Sequence, residues 1–195
     1  MDIVIKDLCK SYGETAVLKQ LNAVIEKGRI TCLMGQSGVG KTTLLNILMG
    51  FEKADSGAVE NLPQIKAAVF QENRLCESFT AFTNVKIAND SLTDSTITAH
   101  LCQVGLGEAV NQKVSTLSGG MKRRVALVRA VLAEKEILFL DEPFKGLDED
   151  TKAVVTQYLL QHTKDTTVVM VTHDINESQS LGAKVLYLKD GQITV

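Results

Sequence analysis

Two features of this 195-residue chain could do chemistry on phosphate: a glycine–lysine loop and a pair of adjacent acids. Gly35-Gln36-Ser37-Gly38-Val39-Gly40-Lys41-Thr42 has the spacing G-x-x-x-x-G-K-[ST]. Glycines at those positions let successive backbone N–H groups approach phosphate oxygens. The lysine then reaches the β- and γ-phosphates, and the Thr42 hydroxyl sits on Mg²⁺. Asp141 and Glu142 directly follow the apolar run Ile137-Leu138-Phe139-Leu140. Neighbouring carboxylates at a strand end point different ways, so they can take different tasks. Asp141 fits the acid that supports the metal, and Glu142 is free to orient or deprotonate an attacking water. Together these residues read as a site for a nucleoside triphosphate.

Such residues need elements to hold them, and the flanking sequence supplies these. Arg29 to Met34 predicts a short strand leading into the loop, and Lys41 to Gly50 a helix apolar nearly all round and therefore buried. The run Ile137–Leu140 predicts a strand covered on both faces of a parallel sheet. A third segment, Leu117-Ser118-Gly119-Gly120, opens a helix of about 16 residues with Ser118 as its N-cap. Its two glycines offer backbone N–H groups at the positive end, a second anion site. Within that helix, Lys122-Arg123-Arg124 reads as a solvated face, and Arg129 as one member of an intramolecular ion pair. Of three histidines, only His173 directly follows an apolar strand (Val168 to Val171, then Thr172), at the edge where open α/β sheets bind ligands.

These elements resemble, in order along nearly the whole chain, those of the ATP-binding cassette (ABC) ATPases. Tyr12 resembles the aromatic that stacks on adenine, and Gln71, in Val69-Phe70-Gln71-Glu72-Asn73, the Q-loop glutamine. Leu117 to Gly120 are similar to the signature L-S-G-G-Q, with Met121 in place of its glutamine. Ile137 to Glu142 are similar to Walker B, Gly146-Leu147-Asp148 to the D-loop, and His173 to the switch histidine. The resemblance implies an α/β fold: a P-loop core with a mostly parallel sheet, a small antiparallel β-region and a helical subdomain over about residues 72–133. It implies one ABC ATPase domain over residues 1–195, although Gly57 to Phe70 is short for the antiparallel region.

The roles implied by the resemblance are specific. ATP and Mg²⁺ are the cofactors. Gly35, Gln36, Ser37, Gly38, Val39, Gly40, Lys41, Thr42 and Thr43 bind the nucleotide with Tyr12. Thr42 and Gln71 coordinate the metal and Asp141 holds it through water. Glu142 is the general base, with His173 on the γ-phosphate. Ser118, Gly119 and Gly120 close over nucleotide held by a second ATPase subunit, with Asp148 bridging the two sites, so a head-to-tail dimer is expected. Further expected partners are transmembrane permease subunits and an extracellular solute-binding protein. The motif Asp141-Glu142-Pro143-Phe144 before Gly146-Leu147-Asp148 is similar to subunits of nitrate, sulfonate and taurine importers. The same motifs would serve an ABC ATPase that regulates a membrane protein or cell-wall enzyme without moving solute.

Composition fits this reading. A net charge of −2 gives no electrostatic footprint for nucleic acid. No apolar run approaches the roughly 18 residues of a membrane span, and Met1-Asp2-Ile3-Val4-Ile5 lacks the basic region of a signal peptide. Four cysteines without C-x-x-C spacing predict reduced thiols. The expected location is cytoplasmic, on the inner face of the membrane. With the sequence ending at Val195, no regulatory domain is expected after it.

The coarse reading places further strands near Ile3–Leu8, Ala23–Glu26, Ala58–Glu60, Ala67–Phe70, Thr167–Val171 and Ala183–Leu188, and a turn with a last strand at Lys189–Ile193. Helical patterns fall near Thr98–Val104 and Thr151–Thr163.

Overall fold

Apolar runs that need cover on both faces build the centre of the molecule. In this computed structural model, which describes residues 1–194, the runs Ile137–Asp141 (β6) and Thr167–Val171 (β7) are buried at every position. Val195, the last residue of the expected domain, lies outside the described residues. Ile30–Met34 (β3) lies beside β7, and the six-stranded order is β5-β6-β7-β3-β8-β9. Here β5 is Lys66–Val69, β8 is Lys184–Lys189 and β9 is Gln192–Thr194. Neighbours from β5 to β8 pair in parallel, and β9 turns back antiparallel on β8.

Residues of one strand alternate between two cores, as the two-residue period of a strand requires. Leu138, Leu140, Val168 and Met170 face a core shared with helices α2 (Ala81–Lys86), α3 (Asp94–Gln103), α4 (Gly119–Leu132) and α5 (Glu149–His162). Ile137, Phe139, Val169 and Val171 face the other core, with α1 (Lys41–Met49) and the second sheet. That sheet is antiparallel, in the order β2-β1-β4, from Ile3–Tyr12 (β1), Thr15–Ile25 (β2) and Ser56–Glu60 (β4). Helix α1 carries Leu44, Leu45, Ile47 and Leu48 into that core, which is why it reads as buried from sequence.

Three departures from the sequence expectations have local causes. The first two strands are longer than expected, because register shifts after Ile5 and Leu8 let the β1–β2 pair run on through the exposed half of the hairpin. Helix α3 begins earlier, where the Thr93 hydroxyl accepts from the Thr96 N–H. Two six-residue helices, α2 and α6 (Ile175–Ser180), have no counterpart in the sequence reading. They are capped by the side chains of Thr80 and Asp174.

Because β3, β5, β6 and β7 run parallel, the segments that follow their carboxyl ends leave one edge of the sheet. Those segments are the Gly35–Gly40 loop, Phe70-Gln71, Glu142 and Thr172-His173. The topology alone therefore gathers most of the predicted chemistry.

Candidate functional site at the carboxyl edge

The Gly35–Gly40 loop can take its shape only with glycine at its bends. Gly38 and Gly40 have φ of +79° and +112°, in the left-handed region. A methyl group on Gly35 would stand 2.3 Å from the Leu188 carbonyl oxygen. The Lys41 ammonium ties the loop to itself, donating to the carbonyls of Gly35 and Gln36 at 2.8 Å each. One of its three donors remains for a phosphate oxygen. Helix α1 starts at Lys41, so its free N–H groups and its dipole also face the loop.

A cleft of about 390 Å³ opens beside this loop. It is lined by Ser37, Gly38, Gly40, Lys41, Thr42 and Thr43 from the loop and helix, with Tyr12, Gln71, Asp141 and Glu142. Gln36 and Val39, with Gly35, instead line a neighbouring hollow that includes His173. Tyr12 stands at the far rim, half exposed, and donates its hydroxyl to Glu52 at 2.5 Å. That bond raises the Tyr12 pKa, and the Lys10 ammonium lies over the ring, 5.4 Å from its centroid.

The two adjacent acids lie in different environments. Asp141 is the last residue of β6 and is 9 % exposed. Burial raises its pKa, the Glu142 charge adds to this, and Arg123, Lys145 and Lys41 oppose it. Glu142 has left the strand and sits at φ +48°, a left-handed conformation that costs an L-residue about 1–2 kcal/mol. Its N–H still donates to the Val171 carbonyl at 2.9 Å. Its carboxylate lies 3.3 Å from Lys145 Nζ and 3.5 Å from His173 Nδ1. The His173 side chain is 77 % exposed, so it can turn toward a ligand held in the cleft.

Thr42, Gln71 and Asp141 present a hydroxyl, an amide oxygen and a carboxylate on one cleft, a hard oxygen set that suits Mg²⁺. Among the described residues no group of three His, Cys, Asp or Glu converges on one point. A cation here would therefore share these few protein oxygens with phosphate, as Mg²⁺ commonly does.

Ser118, Gly119 and Gly120 do not line the cleft. Ser118 caps α4 as expected, accepting from the Met121 N–H at 3.3 Å. Gly120 packs instead against Gly146 and Leu147, where a methyl group would meet both at 3.3 Å. Asp148 caps α5 by accepting from the Thr151 N–H and hydroxyl. The second predicted anion site and the D-loop thus lie together, apart from the phosphate loop of the same chain.

Two expectations about α4 are overturned. Arg123 is no part of a solvated face: it is 2 % exposed, and its guanidinium donates to main-chain oxygens of the segments that hold Gln71 and Glu142. Periodicity carries the signal, since Arg123 stands four residues before Leu127 and seven before Ala130 on the buried face. Arg129 makes no ion pair among the described residues and donates instead to the carbonyls of Asn73 and Arg74. Lys145, beside Glu142, gives no signal in the sequence, because only the turn after β6 brings it back.

Comparison with known proteins agrees with the fold. The sequence profile of the family described as "ABC transporter" matches residues 18–145. The chain is 35 % identical, over 97 % of its length and 76 % of the other's, to the bicarbonate transport ATP-binding protein of Synechococcus elongatus. It is 39 % identical, over 97 % of its length and 81 % of the other's, to the aliphatic sulfonates import ATP-binding protein of Corynebacterium glutamicum. Among solved structures it is similar to a dimeric ATP-binding cassette in a post-hydrolysis state bound to ADP and Pi. The TM-score there is 0.85 at 30 % identity, covering 99 % of this chain and 97 % of the other.

Proposed function

The chain belongs to the ABC transporter family, and from that premise we propose that it is the ATP-hydrolysing subunit of a bacterial importer, acting through a separate membrane permease. It is an ATPase with an ABC cassette fold. The observation that carries the reading is the separation of the two anion sites. The cleft holds the phosphate loop, Gln71 and both acids, whereas Ser118 and Gly120 lie elsewhere, beside the D-loop. A complete site then needs the signature of a second copy over each nucleotide. The solved dimeric cassette supports such pairing.

Within this reading Tyr12 stacks on adenine, and Lys41 with the N–H groups from Gly35 to Thr43 holds the phosphates. Thr42, Gln71 and Asp141 would hold Mg²⁺, which when bound supplies neutralisation of phosphate charge. Glu142 takes the proton of the attacking water, and His173 moves to the γ-phosphate. Ser118, Gly119 and Gly120 contact nucleotide in the opposite site, with Asp148 at the junction. ATP favours the closed dimer through these contacts, and hydrolysis removes them. Residues 72–133 form the helical subdomain of a single cassette, and the surface from Gln71 to Ser91 receives the permease. Phe79 and Ile87, 44 % and 54 % exposed there, support a docking role. Among the described residues no helix is long and apolar enough to cross a membrane, so attachment at the cytoplasmic face would come from the permease.

Purifying the tagged protein from detergent-solubilised membranes tests the reading. A multi-span permease should accompany it in a fixed ratio. Recovery with a membrane protein that carries a large outer domain and moves no solute would overturn the importer assignment.

A further inference from the structure

Beyond the last paired residues of β5 and β6, Val69 and Leu140, the two chains part. Phe70 and Gln71 leave on one side, and Asp141, Glu142 and Pro143 on the other. The side chain of Arg123, reaching in from α4, fills the fork between them. Its Nη1 donates to the Phe70 carbonyl at 2.5 Å, to the Gln71 carbonyl at 3.4 Å and to Asn73 Oδ1 at 3.2 Å. Its Nη2 donates to the carbonyls of Asp141, at 2.5 Å, and of Glu142. Nε donates to the Pro143 carbonyl at 3.2 Å. No carboxylate pairs with it among the described residues, so a buried cation is satisfied almost wholly by main-chain dipoles.

We propose that Arg123 is the positioning residue of the hydrolytic centre: one guanidinium fixes the main chain of Glu142 and of Gln71 together and so sets the base against the water it deprotonates. This rests on the reading of Glu142 as that base. Glu142 is the residue that needs such a hold, because its backbone is left-handed at φ +48° without being glycine. A planar fork with donors on three nitrogens can span both segments, whereas an ammonium is a single point and cannot. Because Arg123 belongs to the helix that Ser118 caps, a shift of that helix would also be felt at Glu142 and Gln71.

The test compares Arg123→Lys and the uncharged Arg123→Met with the parent, alone and in a Glu142→Gln background. Each variant that folds should lose about tenfold or more in kcat, while the ATP dissociation constant stays within about threefold. In the Glu142→Gln background the same changes should cost less than about threefold further, since the base is gone and only the hold on the Gln71 main chain is left to lose. A kcat within about twofold of the parent would overturn the proposal. So would losses that multiply with Glu142→Gln, or failure of both variants to fold, which would make Arg123 a folding residue alone. If Glu142→Gln itself hydrolyses ATP normally, the base assignment fails instead. That result can be told apart, because it is read without touching Arg123.

Discussion

Asp141 and Glu142 are neighbours in sequence and line one cleft, yet they differ in burial and in backbone conformation. Asp141 is buried at the end of β6, whereas Glu142 is partly exposed on a left-handed turn, 3.3 Å from Lys145 and 3.5 Å from His173. Substituting them should therefore separate two steps. Glu142→Gln keeps size and shape but cannot take a proton, so hydrolysis should fall about 10²–10⁴-fold while MgATP still binds. Asp141→Asn should instead weaken Mg²⁺-dependent binding, because the cation loses a supporting charge. Titrating a fluorescent ATP analogue with and without Mg²⁺ checks both, and equal Mg²⁺ dependence in the two variants would refute the division of roles. Lys41→Ala should abolish hydrolysis and weaken nucleotide binding in a folded protein, since it also releases the carbonyls of Gly35 and Gln36. Full activity there would end the phosphate-loop assignment.

At the scale of elements, α3 and α5 meet through a stack of rings. The rings of His100 and His162 lie 4.4 Å apart, and His100 Nδ1 shares a hydrogen bond with the Tyr158 hydroxyl at 2.9 Å. His162 Nε2 donates to Gln103 at 2.7 Å. Burial lowers the pKa of both histidines, and the charge of His162 lowers that of His100 further. With folded values below an unfolded one near 6.5, the unfolded chain binds more protons as pH falls. The stability from this contact is thus present above that pH and lost on acidification below it. Tm should drop between about pH 7.5 and 5.5, and the drop should shrink in His162→Phe, which keeps a ring against Tyr158 but cannot titrate. An undiminished drop would remove these rings as the cause.

The same scale shows what the sequence could reveal. β6 and β7 are legible because burial on both faces demands unbroken apolar runs, and α4 because Ser118 and Gly119 mark its start. Helices α2 and α6 are not, since six residues are too few for a helical period to stand out. The start of α2 is tied down by the Thr80 cap and by buried Asn84, whose amide bonds the backbone of Cys76 and the Thr80 carbonyl. Asn84→Leu should accordingly cost about 1–3 kcal/mol in denaturant unfolding, by stranding those groups. No measurable loss would show that water replaces the amide. In the site, the phosphate loop is local and so readable. The acceptors of Arg123 lie 18 to 53 residues away in sequence, and only its phase along α4 hints at its burial.

For the whole molecule, the central claim is that each hydrolytic site is shared between two chains. The cleft carries one half, and Ser118 with Gly120 the other, on a different part of the surface. Mixing two defective variants tests this most directly. Lys41→Ala spoils the phosphate loop, and Ser118→Arg blocks the signature, so neither alone should hydrolyse ATP. A mixed dimer pairs the intact loop of one chain with the intact signature of the other and rebuilds one of its two sites. An equimolar mixture should recover up to about a quarter of parental ATPase activity, since half the dimers are mixed and each has one good site. A mixture that forms dimers yet stays as inactive as its components, or a Ser118→Arg protein that hydrolyses ATP as a monomer, would contradict it.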